Sequence, residues 1–338
     1  MNRKYILIVG LFVVAPFVVF AQALDSMLAV YKENYQQEKV HIHFDKGLYA
    51  KGETIWGKAY ILAGEGLSDY SRNFYADWYD DAGLLIKHSV HPIFESSAKL
   101  QFEIPQNYKG TRIRVKAYTR WMLNFDAAFI FTKDITVQGS DSLSYSKKVD
   151  PIYKLQFFPE GGQLVTGLQA QVGFLSVNQN GDPAPIKGAI FNSKMTLMDS
   201  IQSVHDGMGV FSFTPEKDES YNCIWVDALG NVHNTALPAA KQDGIVMQAL
   251  LQEDKAKIVI QRPSVTAQNF LQLHVVASMH QRMVYTSTIQ LQTKKSAALA
   301  MRTDSLPTGV LQITVFDAAW VPVAERVLFI NNNLHTFY

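Results

Sequence analysis

Along this chain, hydrophobic and polar residues alternate with a period of two, and a period near 3.6 is almost absent. From Val40 to Phe44, the side chains of Val40, Ile42 and Phe44 face one way while His41, His43 and Asp45 face the other, the pattern of a half-buried strand. Arg112–Tyr118 repeats it, with Ile113, Val115 and Ala117 set against Arg112, Arg114, Lys116 and Tyr118. Further strands are expected at Ile55–Leu62, Phe74–Tyr79, Leu84–His91, Ala98–Ile104 and Phe129–Val137. Ala50–Glu53, Asp80–Gly83 and Pro105–Gly110 separate them with the Gly, Asp, Asn and Pro residues that turns require. Seven short strands in about a hundred residues, punctuated this way, predict a β-sandwich. One short helix is expected, near Ala23–Gln37.

The polar stretch Gly139–Lys148 interrupts the alternation and reads as a linker. A second unit follows, with strands expected at Lys154–Phe158, Gln171–Asn178, Gly188–Met198, Gly209–Thr214 and Tyr221–Ala228. Leu237–Gly244 marks the next boundary. Beyond it, strands are expected at Ala256–Gln261, Leu271–Ala277, Met283–Gln292, Val310–Phe316 and Arg326–Ile330. The units, at 38–138, 152–238 and 245–332, are similar in size, and each places a late Pro/Gly turn before a strand, which is weak internal repetition. The expected fold class is all-β, as tandem antiparallel β-sandwiches.

Composition adds a compartment. Met1–Lys4 is basic, Tyr5–Ala21 is apolar, and small residues surround Ala21 and Ala23, so residues 1–21 read as a signal peptide cut before Gln22 or Leu24. A retained anchor of that length is the rival reading; Pro16 and the small-residue site directly after the run favour cleavage. No later segment is long and apolar enough to span a bilayer, and Cys223 lies too far downstream to carry a lipid anchor. With Arg3 and Lys4 removed, the formal charge falls from +1 to −1, which leaves no electrostatic footprint for nucleic acid or anionic lipid. A single cysteine excludes an internal disulfide framework. Packed cores must hold the fold, and 48% apolar residues suffice for that.

Four groups of motifs carry a resemblance. Glu38–Lys46, followed by Tyr49-Ala50-Lys51-Gly52-Glu53-Thr54-Ile55-Trp56, resembles the opening of the macroglobulin-2 (MG2) domain of the α2-macroglobulin superfamily, with Gly47 where that family has proline. Ala117–Phe125, Phe157–Val165 and Gly309–Asp317 with Pro322–Arg326 resemble macroglobulin-like proteins of the Bacteroidetes group. The resemblance runs from Glu38 to Asn331. It implies macroglobulin-like sandwiches in the periplasm or at the outer-membrane surface of a Gram-negative bacterium. Longer members of that group continue into a plug domain like that of TonB-dependent receptors; this chain reads as a short member or a piece of a longer one. Complete α2-macroglobulins trap proteases through a thioester built on Cys-x-Glu-Gln. Here Asn222-Cys223-Ile224-Trp225 has no such Gln, so the covalent mechanism is not expected and Cys223 reads as a small buried hydrophobe.

Few residues are candidates for chemistry. His41, His43 and Asp45 share one strand parity and could converge on a metal, half of a metallo-β-lactamase-like motif, but Lys46 stands where its next His belongs. The bland alternative is a solvated strand face running into a turn that Asp45 and Lys46 cap. His88 and His91 have opposite parity and cannot share a ligand set. No nucleophile elbow, P-loop or dinucleotide fingerprint is present. Trp121, Met122, Leu123 and Phe125 follow a strand in a loop; Trp121, Met122 and Phe125 are the candidate binding residues, with packing against the sandwich as the competing role. The expected function is non-catalytic, cofactor-free binding of a protein partner in the cell envelope, an outer-membrane receptor or a peptidase, or envelope scaffolding. A peptidase-inhibitor-like protein lacking the thioester and a metallohydrolase using His41, His43 and Asp45 are the alternatives.

Overall fold

The computed structural model describes residues 30, 33–64, 66–138, 151–179 and 181–333. The leader expected at 1–21 and the linker expected at 139–148 lie outside them. So does most of the helix expected near Ala23–Gln37, of which Val30, Glu33 and Asn34 are helical. The chain divides into two compact units, Met1–Lys148 and Val149–Tyr338.

The first unit holds one sandwich. Its strands are β1 (Glu38–Phe44), β2 (Leu48–Ala50), β3 (Thr54–Ala63), β4 (Gly66–Leu67), β5 (Asn73–Tyr79), β6 (Leu85–Pro92), β7 (Ser97–Glu103), β8 (Arg112–Thr119) and β9 (Phe131–Gln138). One sheet joins β1, β7 and the short β4 to β3; the other runs β2-β9-β8-β5-β6, antiparallel except where β2 meets β9. Alternation decides which side chains meet between the sheets. Ala98, Leu100 and Phe102 of β7 are buried and Lys99, Gln101 and Glu103 exposed, and Phe102 stacks on buried Trp78 with ring centroids 4.5 Å apart. With Ile55, Phe74 and Ile113 they make a single core.

The second unit holds two sandwiches. The first of these contains β10 (Tyr153–Pro159), β11 (Ala170–Asn178), β12 (Lys187–Asn192), β13 (Leu197–Gln202), β14 (Met208–Phe213), β15 (Tyr221–Val226) and β16 (Val232–Ala236). The other contains β17 (Val246–Gln252), β18 (Lys255–Gln261), β19 (Gln272–Met279), β20 (Arg282–Gln290), β21 (Ser296–Arg302), β22 (Gly309–Phe316) and β23 (Pro322–Ile330). Both have the same order: β10-β11-β14 faces β13-β12-β15-β16, and β17-β18-β21 faces β20-β19-β22-β23. Set β2 and β4 aside and the first sandwich repeats this arrangement, β1-β3-β7 opposite β6-β5-β8-β9. The weak repetition in the sequence is therefore a repeat of topology, and each copy has its own core.

Differences from the expected strands have local causes. Gly188–Met198 is a hairpin, because Asn192 Oδ1 accepts the backbone N–H groups of Lys194 and Thr196 and Met195 takes a φ of +60°. The residue types of β16, β17 and β21 show little alternation of apolar and polar. Val246–Gln252 buries both Val246 and Met247, and Ser296–Arg302 is rich in alanine.

Phe157–Val165 builds the joint between the second and third sandwiches. Gly161 pairs with Glu325 of β23 and has a φ of +81°; a Cβ there would lie 3.4 Å from both the backbone N and O of Met247. Beside it, the Glu160 carboxylate accepts the Ala249 N–H at 3.1 Å and pairs with Arg326 at 3.4 Å.

Candidate functional site

The turn after β1 is locked by its own motif. Asp45 Oδ1 accepts the Tyr49 hydroxyl at 2.6 Å and the Trp56 N–H at 3.1 Å. Burial alone would raise the Asp45 carboxyl, and these bonds outweigh it, holding it below the usual range. Lys46 pairs with Glu53 at 3.0 Å, and Glu53 also accepts the Ala50 N–H. Each of Asp45, Lys46, Tyr49 and Glu53 thus holds the turn.

His41 and His43 lie on the exposed face of β1, where their parity put them, and His41 stacks against Tyr60. Asp45 does not join them. The strand ends at Phe44, and the Asp45 carboxylate is turned to Tyr49 and Trp56. Among the described residues, no three His, Cys, Asp or Glu side chains are grouped to hold a metal. His88 and His91 are separated as parity requires: His88 bonds Asp77, and His91 bonds Ser89. Asp77 also accepts the Tyr118 hydroxyl, whose pKa burial and that bond push up to about 12. Cys223 is fully buried in β15, and desolvation pushes its thiol up to about 12, so it is neither a thiolate nor a nucleophile at neutral pH.

Trp121–Asn124 forms a 3-10 turn after β8 and presents an aromatic group with Tyr70 and Phe125. Met122 is 1% exposed; its sulfur accepts the Thr119 N–H, so it anchors the turn and offers no contact surface, contrary to its candidacy for binding. Trp121 is half-buried, stacked near Tyr70 and edge-on to Phe125, and its indole N–H donates to the Gln36 carbonyl at 2.7 Å. Tyr70 and Leu123 are 51% and 55% exposed.

Beneath this turn lies a residue that motif reading passed over. Glu38 is 0% exposed and its carboxylate accepts four hydrogen bonds: from Ser68 Oγ at 2.5 Å, Ser71 N at 3.2 Å, Ser71 Oγ at 2.6 Å and Thr119 Oγ1 at 2.5 Å. Thr119 Oγ1 in turn accepts the Met122 N–H. One buried carboxylate so ties β1, the 68–71 loop and the Trp121 turn together. The signal was legible: Glu38 has the inward parity of Val40, Ile42 and Phe44, and a carboxylate on that side needs donors.

No protein-family model matches the chain, and no curated protein matches it. Among solved structures it is similar to the native conformation of Escherichia coli alpha-2-macroglobulin, at 12% identity over 90% of this chain and 23% of that one, with a TM-score of 0.27. Salmonella alpha-2-macroglobulin reacted with methylamine gives 11% identity over 88% and 23%, and a TM-score of 0.27. The BSP domain of a biofilm-associated protein gives 11% over 93% and 71%, again with a TM-score of 0.27. The chain thus spans about a quarter of the length of these macroglobulins. Its class, tandem antiparallel β-sandwiches, rests on its own hydrogen-bonded sheets rather than on these superpositions. No helix among the described residues is long and apolar enough to cross a membrane.

Proposed function

We propose that the chain is an exported, non-catalytic, macroglobulin-like module of the cell envelope that binds a protein partner through the Trp121 end of its first sandwich. The observation that carries this reading is the rigid mounting of that aromatic group. Trp121 is held by Gln36, Met122 and the Glu38 network, while Tyr70 and Leu123 remain open beside it. Aromatic side chains ordered before binding lose little entropy on association, which suits them to act as binding anchors. The leader-like first 21 residues support export, and with it a partner in the periplasm or at the outer-membrane surface.

The test is capture from envelope extract by the wild-type chain and by Leu123→Asp. A partner retained by the wild type and weakened at least tenfold in the variant supports the reading. Equal capture by both removes this end from the interface. Recovery of peptidases whose activity the chain blocks would favour the inhibitor-like alternative.

A further inference from the structure

In the third sandwich, a buried cation has no counter-ion. Arg262 directly follows β18 and is 6% exposed. Its Nε and Nη2 donate to the Leu291 carbonyl at 3.1 and 2.7 Å, and Nη1 to the Pro263 carbonyl at 2.7 Å, with a longer contact of 3.4 Å to Ser264 O. All these acceptors are neutral, and among the described residues no carboxylate forms an ion pair with it. A guanidinium has five N–H donors, so the carbonyls leave it with hydrogen-bonding capacity as well as charge. Burying a cation without an anion is costly, and buried charges are ordinarily paired.

The surroundings of Arg262 are those of an anion receptor. It lines a cleft of about 440 Å³ between the second and third sandwiches, together with Lys295, Thr166, Ser264, Ser296 and Gln261. Two cations, three hydroxyls and an amide contribute to the lining, and no carboxylate does. None of the three hydroxyls is engaged by another protein group among the described residues. Residues that carry donors thus line a space to which no acidic residue contributes.

We infer that this cleft binds an oxyanion, the carboxylate or phosphate group of a ligand, with buried Arg262 and exposed Lys295 as its two cations. The site is separate from the Trp121 end and stands whether or not that end binds a partner.

Thermal unfolding of the whole chain tests it, in inorganic phosphate and in citrate against sodium chloride of equal ionic strength. Concentrations stay below about 10 mM, where general exclusion of these salts from the surface contributes little. Phosphate, citrate or both should raise the midpoint saturably by a few degrees, and chloride should not. Lys295→Glu, at an exposed position, should weaken that response at least tenfold. Ser264→Asp, which supplies the missing carboxylate in place, should raise the midpoint without added anion and abolish the response. A response to only one anion assigns the ligand group to phosphate or to carboxylate. An equal rise in chloride, no rise at all, or a rise unchanged in both variants overturns the proposal.

Discussion

At the residue scale, a few buried charges do more to define this molecule than its histidines. Glu38 satisfies four donors at once, so replacing it with glutamine puts an amide N–H₂ against hydroxyls and a backbone N–H that all need an acceptor. Glu38→Gln should destabilise the first sandwich by about 1–3 kcal/mol in urea unfolding and speed hydrogen exchange at the Met122 amide, which hangs from Thr119. Asp227 offers a pH test. Burial raises its pKa, but the bonds from His233, Asn231 and Leu229 more than offset this and bring it down to about 2. A carboxyl whose folded pKa is depressed stabilises above its unfolded value, here 3.8, and that contribution is lost as pH falls through about 2. Acid unfolding should therefore be steeper between pH 4 and 2 in the wild type than in Asp227→Asn; equal profiles would contradict this role. Cys223 should resist iodoacetamide in the native chain and react on unfolding, as its buried, protonated thiol requires.

At the element scale, strands whose residue types alternate were legible, and strands whose residue types do not were missed. The strands from β1 to β9 longer than three residues fall close to where alternation put them, because each has one face on a core and one in water. Val246–Gln252 escaped because it buries the consecutive Val246 and Met247, and Ser296–Arg302 because alanines occupy its exposed face as well as its inner one. The Ala50–Glu53 turn was legible, and capping by Asp45 and Lys46 was one of two readings of those residues; the partners they use, Tyr49, Trp56 and Glu53, were not legible. Parity was also enough to mark Glu38 as inward, although the donors gathered around it come from segments 30 to 81 residues away. Gly161 belongs to this scale as well. Gly161→Ala forces a β-carbon into a left-handed conformation against the Met247 backbone, at a cost of about 1–2 kcal/mol. Loosened docking of the Pro159–Gly162 turn should show as faster exchange at the Ala249 amide, which Glu160 now holds.

At the scale of the whole molecule, three cores with one strand order describe a chain built by repetition of a sandwich. The sequence carried that repetition weakly, as a late Pro/Gly turn in each unit. It could not show which of Trp121, Met122 and Phe125 is open to solvent, because a 3-10 turn sets neighbours about 120° apart and packing alone decides which points inward. The most direct measurement is site-specific photo-crosslinking in the native envelope, with benzoylphenylalanine at Leu123 and, as a control, at the still more open Val204 of the second sandwich. The account predicts a discrete protein adduct from position 123 and none from position 204. The same pattern at both positions, or no adduct at 123, would contradict it.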